Sequence, residues 1–134
     1  ILDDLGLVDA VGWYAERFQA RTGILCTVKI SDINDLADPH RHTALFRIFQ
    51  EAMTNVAMHS GATSVQILLH QESGSVRLTV HDNGRGIAQA QILDRNSLGI
   101  LGMKERSTIL GGELKVEGTH EGGTTVIASI PLNK

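Results

Sequence analysis

The sequence predicts a mixed α/β domain, and three observations carry that prediction. Leu45, Ile48, Phe49, Ala52, Met53 and Val56 recur at i, i+3, i+4 and i+7, which gives a helix one apolar face. Val65, Ile67 and Leu69, then Val76, Leu78 and Val80, alternate with polar residues on either side of Ser73-Gly74, the pattern of two strands joined by a tight turn. Val126, Ala128 and Ile130 alternate again near the end. The 134 residues, 42% of them hydrophobic, suit one compact domain with one core.

Each element can be justified in turn. Residues 2–22 read as helix, because Leu5, Val8, Val11 or Gly12, Ala15 and Phe18 recur at helical spacing and Gly23 is a natural stop. Asp3 and Asp4 suit the positive end of the helix dipole. Gly6 and Gly12 each cost a helix up to about 1 kcal/mol relative to Ala, so one helix and two helices with a break both stay open. Residues 24–30 are rich in β-formers and read as a strand, and 31–37 as a polar loop. Asp38 is a good N-cap and Pro39 stands where a missing N–H costs nothing, so the apolar-faced helix starts there and runs to Gly61. Residues 87–96 have little pattern and read as a mobile connection; the whole stretch 87–98 is expected to be a lid. Gly99 and Gly102 bracket a helix start, and Met103, Arg106, Ile109 and Leu110 carry it to Gly111-Gly112. Leu114 and Val116 alternate as a strand, Glu121-Gly122-Gly123 turns the chain, and Pro131 closes the last strand.

Composition removes several function classes. Charged residues make up 20% and the net charge is -3, with no basic run, so a nucleic-acid surface is not supported. One cysteine, Cys26, allows no internal disulfide and no Cys-rich zinc site, and makes a reducing compartment the default. There is no bilayer-length apolar run and no signal-peptide pattern. The chain opens on Ile1, which points to a piece of a longer protein. No GxxxxGK[ST], GxGxxG after a strand, or HExxH occurs. His40 and His42 read as a coincidence of helix-start residues.

Three features bear on chemistry. Arg47, Glu51, Asn55 and His59 stand four apart and form one polar stripe on the helix. Asn is a weak helix former, so Asn55 in mid-helix calls for a specific bond. Asp82 ends a strand, and Asn83-Gly84 signals a turn because both residues tolerate positive φ; Gly86 adds a second point of close backbone approach. Gly99-Ile100-Leu101-Gly102 opens a helix, whose free N–H groups and dipole suit an anion.

In order along the chain, Glu51-Ala52-Met53-Thr54-Asn55 with His59, Asp82-Asn83-Gly84-Arg85-Gly86, Gly99-Ile100-Leu101-Gly102-Met103-Lys104-Glu105-Arg106, Leu110-Gly111-Gly112 and Gly122-Gly123-Thr124 form a joint set. That set resembles the ATP-binding domain of sensor histidine kinases, in the GHKL superfamily with DNA gyrase, heat-shock chaperone ATPases and mismatch-repair ATPases. It is most similar to the nitrate-sensor and membrane-fluidity-sensor branch. Residues 2–7 resemble the end of that branch's dimerisation domain. The resemblance therefore divides the chain into 1–22, the end of the dimerisation-domain helix or linker with the first helix, and 23–134, the catalytic ATP-binding domain.

The resemblance implies a two-layer α/β sandwich of the Bergerat type: a mixed sheet, helices on one face, and ATP between helices and lid. It implies that Asn55 holds Mg²⁺ by its amide oxygen and that Glu51 acts near the γ-phosphate, as a base or a water-orienting group. Asp82 accepts from the adenine amino group, Gly84 and Gly86 let the base approach the backbone, and Gly99 and Gly102 meet the phosphates. Thr124 supports the adenine pocket, and His59 and Met103 also fall in nucleotide-binding boxes. Met58 departs from the pattern, which often has Lys or Arg there; the phosphate-contacting cation is then either missing or supplied by Arg47, Lys104 or Arg106. The implied protein is a cytoplasmic two-component kinase, membrane-anchored or not, homodimeric at full length. It would phosphorylate a histidine in its own upstream domain and act on a response regulator. His59 is not that acceptor. A GHKL serine kinase or anti-sigma factor, a gyrase-like ATPase, and a module that only binds nucleotide or a partner remain open.

Overall fold

The computed structural model describes residues 2–31, 38–86, 99–119 and 122–132. The predicted lid at 87–98, loop residues 32–37 and Glu121 lie outside the described residues. The element order is α1 (Leu2–Thr22), β1 (Leu25–Ser31), α2 (Pro39–Asn55), a π-helical turn (Val56–Ser60), β2 (Ser64–Glu72), β3 (Ser75–Asp82), α3 (Ile100–Ile109), β4 (Glu113–Thr119) and β5 (Gly123–Pro131).

The strands form one five-stranded sheet in the order β1-β2-β3-β5-β4. β1 runs parallel to β2 and the other pairs are antiparallel, so the sheet is mixed. Ser73 and Gly74 both take positive φ in the turn between β2 and β3, as a two-residue hairpin requires. Alternation decides which face is buried. Val65, Ile67, Leu69, Val76, Leu78, Val80, Val126, Ala128 and Ile130 point to the side where Leu45, Ile48, Phe49, Ala52 and Met53 of α2 and Ile100 and Met103 of α3 lie buried with them. The helices thus cover one face, and the fold is the expected two-layer α/β arrangement.

α2 is anchored at its start. Asp38 accepts from the His40 N–H at 2.9 Å, so the cap is formed as its chemistry predicts. Arg41 is buried; it pairs with Asp38 and its Nε donates to the Pro131 carbonyl at 2.6 Å, which ties the helix start to the end of β5. The cap N–H and the Arg41 guanidinium hold the Asp38 carboxyl below the usual aspartate range, the backbone bond being the larger cause.

Three expectations need correction. α1 is broken at Gly6 (φ 77°), and beyond that break the buried stripe is Leu7, Ala10, Val11, Ala15 and Phe18. Val11, Ala15 and Phe18 are buried as expected, but Val8 is 36% exposed and Leu7 takes the buried place in its turn. In α3 the buried residues are Ile100, Met103 and Ser107, whereas Ile109 is 81% exposed: it lies off the stripe that faces the sheet. α2 proper stops at Asn55, six residues before Gly61, and the remainder is a π-helical turn ended by Gly61 in the left-handed region (φ 66°). Asn55 is therefore the last α-helical residue, at a junction where the backbone pattern changes, and not in mid-helix.

Candidate nucleotide-binding site

A cavity opens between the end of α2, the start of α3 and the sheet. Asn55, His59 and Ser60 line it from the helix side, Asp82 and Thr124 from the strand ends, and Ile100 and Met103 from α3. Val80, Val116 and Val126 supply an apolar floor.

Asp82 is only 4% exposed, where an unpartnered charge would be costly. Its Oδ1 accepts from the Gly84 N–H at 2.8 Å and the Thr124 N–H at 3.4 Å. Thr124, 4% exposed, has its hydroxyl oxygen buried with no hydrogen-bond partner, the one such side-chain atom among the described residues. Leaving such a group unsatisfied costs about 1–3 kcal/mol, so this is a position where a ligand atom is wanted. Asn55, 8% exposed, lines the same cavity.

The turn at Asn83-Gly84 is not made through positive φ. Neither Asn83 nor Gly84 has positive φ; in this loop only Gly86 does (φ 83°). Gly84 is small because a Cβ there would overlap the Ser60 carbonyl oxygen, so the space serves packing within the chain. Asn83 is a tie: its Oδ1 accepts from the N–H groups of Thr63 and Ser64 at 2.9 and 3.0 Å, and its Nδ2 donates to Thr63 Oγ1 at 2.9 Å. Gly99 has φ 65° and caps α3, and a Cβ on it would collide with the Glu51 carboxylate. Glu51 and the α3 N-terminus therefore meet beside the cavity. The first intrahelical bond of α3 is Met103 N–H to the Gly99 carbonyl at 3.2 Å, and the N–H groups before it belong to the turn that an α-helix leaves unpaired within itself. A Cβ on Gly102 would meet only the mobile end of Arg106, at 2.9 Å, so Gly102 is less constrained.

The structure thus brings Asn55, His59, Asp82, Met103 and Thr124 to one cavity, sets Glu51 against Gly99 at its side, and turns Gly84 to Ser60. Of the candidate substitute cations, Arg47 and Arg106 line a separate groove between α2 and α3, with His40, Thr43, Ala44, Ile109 and Leu110. Met58 is 70% exposed. Sequence reasoning missed Ser60 and the structural bonds of Asn83; the one signal for Ser60 was its place before the helix-stopping Gly61.

Residues 40–134 match the family model described as "Histidine kinase-, DNA gyrase B-, and HSP90-like ATPase". The chain is 35% identical over 131 residues to the signal transduction histidine-protein kinase/phosphatase DegS of Brevibacillus brevis, covering 98% of this chain and 34% of that protein. It is 30% identical over 128 residues to the nitrate/nitrite sensor protein NarX of Escherichia coli K12, covering 96% of this chain and 21% of that protein. The chain spans about a third or less of these curated relatives. Among solved structures, the histidine kinase domain of the Erythrobacter litoralis EL346 blue-light activated histidine kinase superposes with a TM-score of 0.81 at 25% identity, covering 98% of this chain and 68% of that one. The chain belongs to the family of histidine kinase-, DNA gyrase B- and HSP90-like ATPases, as the ATP-binding catalytic domain of the sensor histidine kinase type.

Proposed function

We propose that this domain holds Mg-ATP in the cavity between Asp82 and Asn55 and presents its γ-phosphate to a histidine in an upstream dimerisation domain. The observation that carries the reading is the pair Asp82 and Thr124. A buried carboxylate and a buried hydroxyl without a partner face one cavity, next to an apolar floor that suits a purine ring. The Asp82 bonds from Gly84 and Thr124 both fall on Oδ1, so Oδ2 is the oxygen that would accept from the adenine amino group. Thr124 Oγ1 would complete its bonding at the ring edge, directly or through water.

Among the described residues, no group of three or more His, Cys, Asp or Glu could hold a metal by itself. A single amide oxygen from Asn55 fits a Mg²⁺ that takes its remaining ligands from phosphates and water. Bound there, Mg²⁺ would neutralise phosphate charge. Glu51 then stands at the phosphate end, against the α3 N-terminus, to orient the incoming nucleophile or take its proton. The whole kinase would be cytoplasmic in this domain, homodimeric, and paired with a response regulator; no described helix is long and apolar enough to cross a membrane. Calorimetric titration with a non-hydrolysable ATP analogue, with and without Mg²⁺, tests the reading: Mg²⁺-enhanced binding is expected, and no binding would sink it.

A further inference from the structure

The two halves of the cleft belong to different segments, and they meet at one residue. Of the phosphate-side residues, Asn55 immediately precedes the π-helical turn Val56–Ser60 and His59 lies within it, and the base-side residue Asp82 begins the loop to Gly86. Ser60 is 6% exposed and joins them. Its Oγ donates to the Val56 carbonyl at 2.6 Å, next to Asn55, and accepts from the Ala62 N–H at 3.0 Å, beyond the left-handed Gly61. The hydroxyl is thus spent inside the turn, where it bridges the π-helical carbonyl to the outgoing chain. The Ser60 carbonyl accepts the Arg85 N–H at 3.0 Å. Gly84 seats against that same carbonyl, with no room there for a Cβ. On the other side the loop is held independently, by Asn83 on Thr63 and Ser64 and by Asp82 on Gly84 and Thr124.

We propose that Ser60 is a positioning residue that sets the span between Asn55 and Asp82, so that one nucleotide satisfies its base contacts and its phosphate contacts together. The inference rests on the nucleotide reading of the cleft. Its mechanism is geometric: a phosphate contact adds affinity to a base contact only when both are made without distorting the ligand. Loss of the Oγ bridge lets the π-helical turn relax, while Asp82 keeps its own two bonds. Base binding should then survive and the advantage of the triphosphate should shrink.

The test measures adenosine and Mg-ATP affinities by calorimetry on wild type, Ser60→Ala and Ser60→Thr. Ser60→Ala is expected to bind adenosine within about twofold of wild type and Mg-ATP roughly five- to tenfold more weakly, the scale of one or two lost hydrogen bonds. Ser60→Thr keeps the hydroxyl and should restore the ATP-to-adenosine ratio. A residue of purely structural importance would lower both affinities in proportion, and that result, or an unchanged ratio, overturns the inference. Should Ser60→Ala not fold, Ser60→Cys, whose thiol is a much weaker donor and acceptor than the hydroxyl, is read by the same ratio and the same criterion. A wild-type chain that binds neither ligand overturns the nucleotide reading itself and the inference with it, so the wild type alone tells the two failures apart.

Discussion

Under the proposed function, Asp82 concentrates the selectivity of the cleft. As a buried carboxylate it accepts, and guanine presents a carbonyl oxygen where adenine presents an amino group. Two facing acceptors leave the charge unpaired, the costly direction of a mismatch. With a hydrogen bond to a charged group at about 1.5–3 kcal/mol, GTP is expected to bind at least about tenfold more weakly than ATP. Asp82→Ala should lose most ATP affinity, and Asp82→Asn should narrow the ATP-to-GTP gap because an amide also donates; competition against a fluorescent ATP analogue reads all three. Asn55→Ala is expected to remove the Mg²⁺ dependence of nucleotide affinity with the fold intact, and a mutant that still responds to Mg²⁺ as wild type does would refute the ligand assignment. Under the proposed function, a lysine at the exposed Met58, where the resembled pattern often has Lys or Arg, would bring an ammonium toward the phosphates without disturbing the core. Met58→Lys should raise Mg-ATP affinity roughly two- to fivefold, an effect erased by salt, while adenosine affinity stays put.

At the scale of elements, α2 does the most, and the sequence made most of it legible. Its cap, its proline start and its apolar face follow from rules about single turns and a 3.6-residue period. Tyr14 on α1 packs edge-on to Phe49 at 5.2 Å between ring centroids, so the face extends across to α1. Phe49→Ala should cost about 3–5 kcal/mol of unfolding free energy by chemical denaturation. The depressed Asp38 titration gives a sign for pH. A carboxyl whose folded pKa lies below its unfolded value near 4 stabilises the fold above that value and ceases to do so as pH falls through the folded pKa. The stability difference between wild type and Asp38→Asn, which keeps a capping oxygen, should be present at neutral pH and vanish in that acid range. What sequence could not supply was the exposure of Val8, the change from α to π after Asn55, and the reason for Gly84. The reason for Gly84 lies far along the chain, in Ser60 beneath it, and not in local period. The residue types at Asn55, Asp82 and Thr124 were readable; the gathering of their side chains into one cavity is a property of the sheet order.

For the molecule as a whole, the sequence similarity covers one functional part of longer kinases. Under the proposed function the isolated chain binds nucleotide but carries no phosphoacceptor histidine. Incubated with labelled ATP and Mg²⁺, it should form no acid-labile, base-stable phosphate; such a product, lost in His59→Ala, would contradict this.

The position of β5 has a consequence for how the protein is made. It lies between β3 and β4, yet it is the last strand in the chain. Until Gly123–Pro131 leaves the ribosome, β4 has no sheet neighbour, β3 has one bare edge, and Arg41 lacks the Pro131 carbonyl. Val76, Leu78 and Val80 are then uncovered on the side that Val126, Ala128 and Ile130 will fill. Such an intermediate exposes both apolar surface and an unpaired strand edge, the features that recruit chaperones or seed aggregates. Folding of this segment is therefore expected to wait for β5, and a released chain truncated shortly before Gly123 should be cut by limited proteolysis throughout β3 and β4.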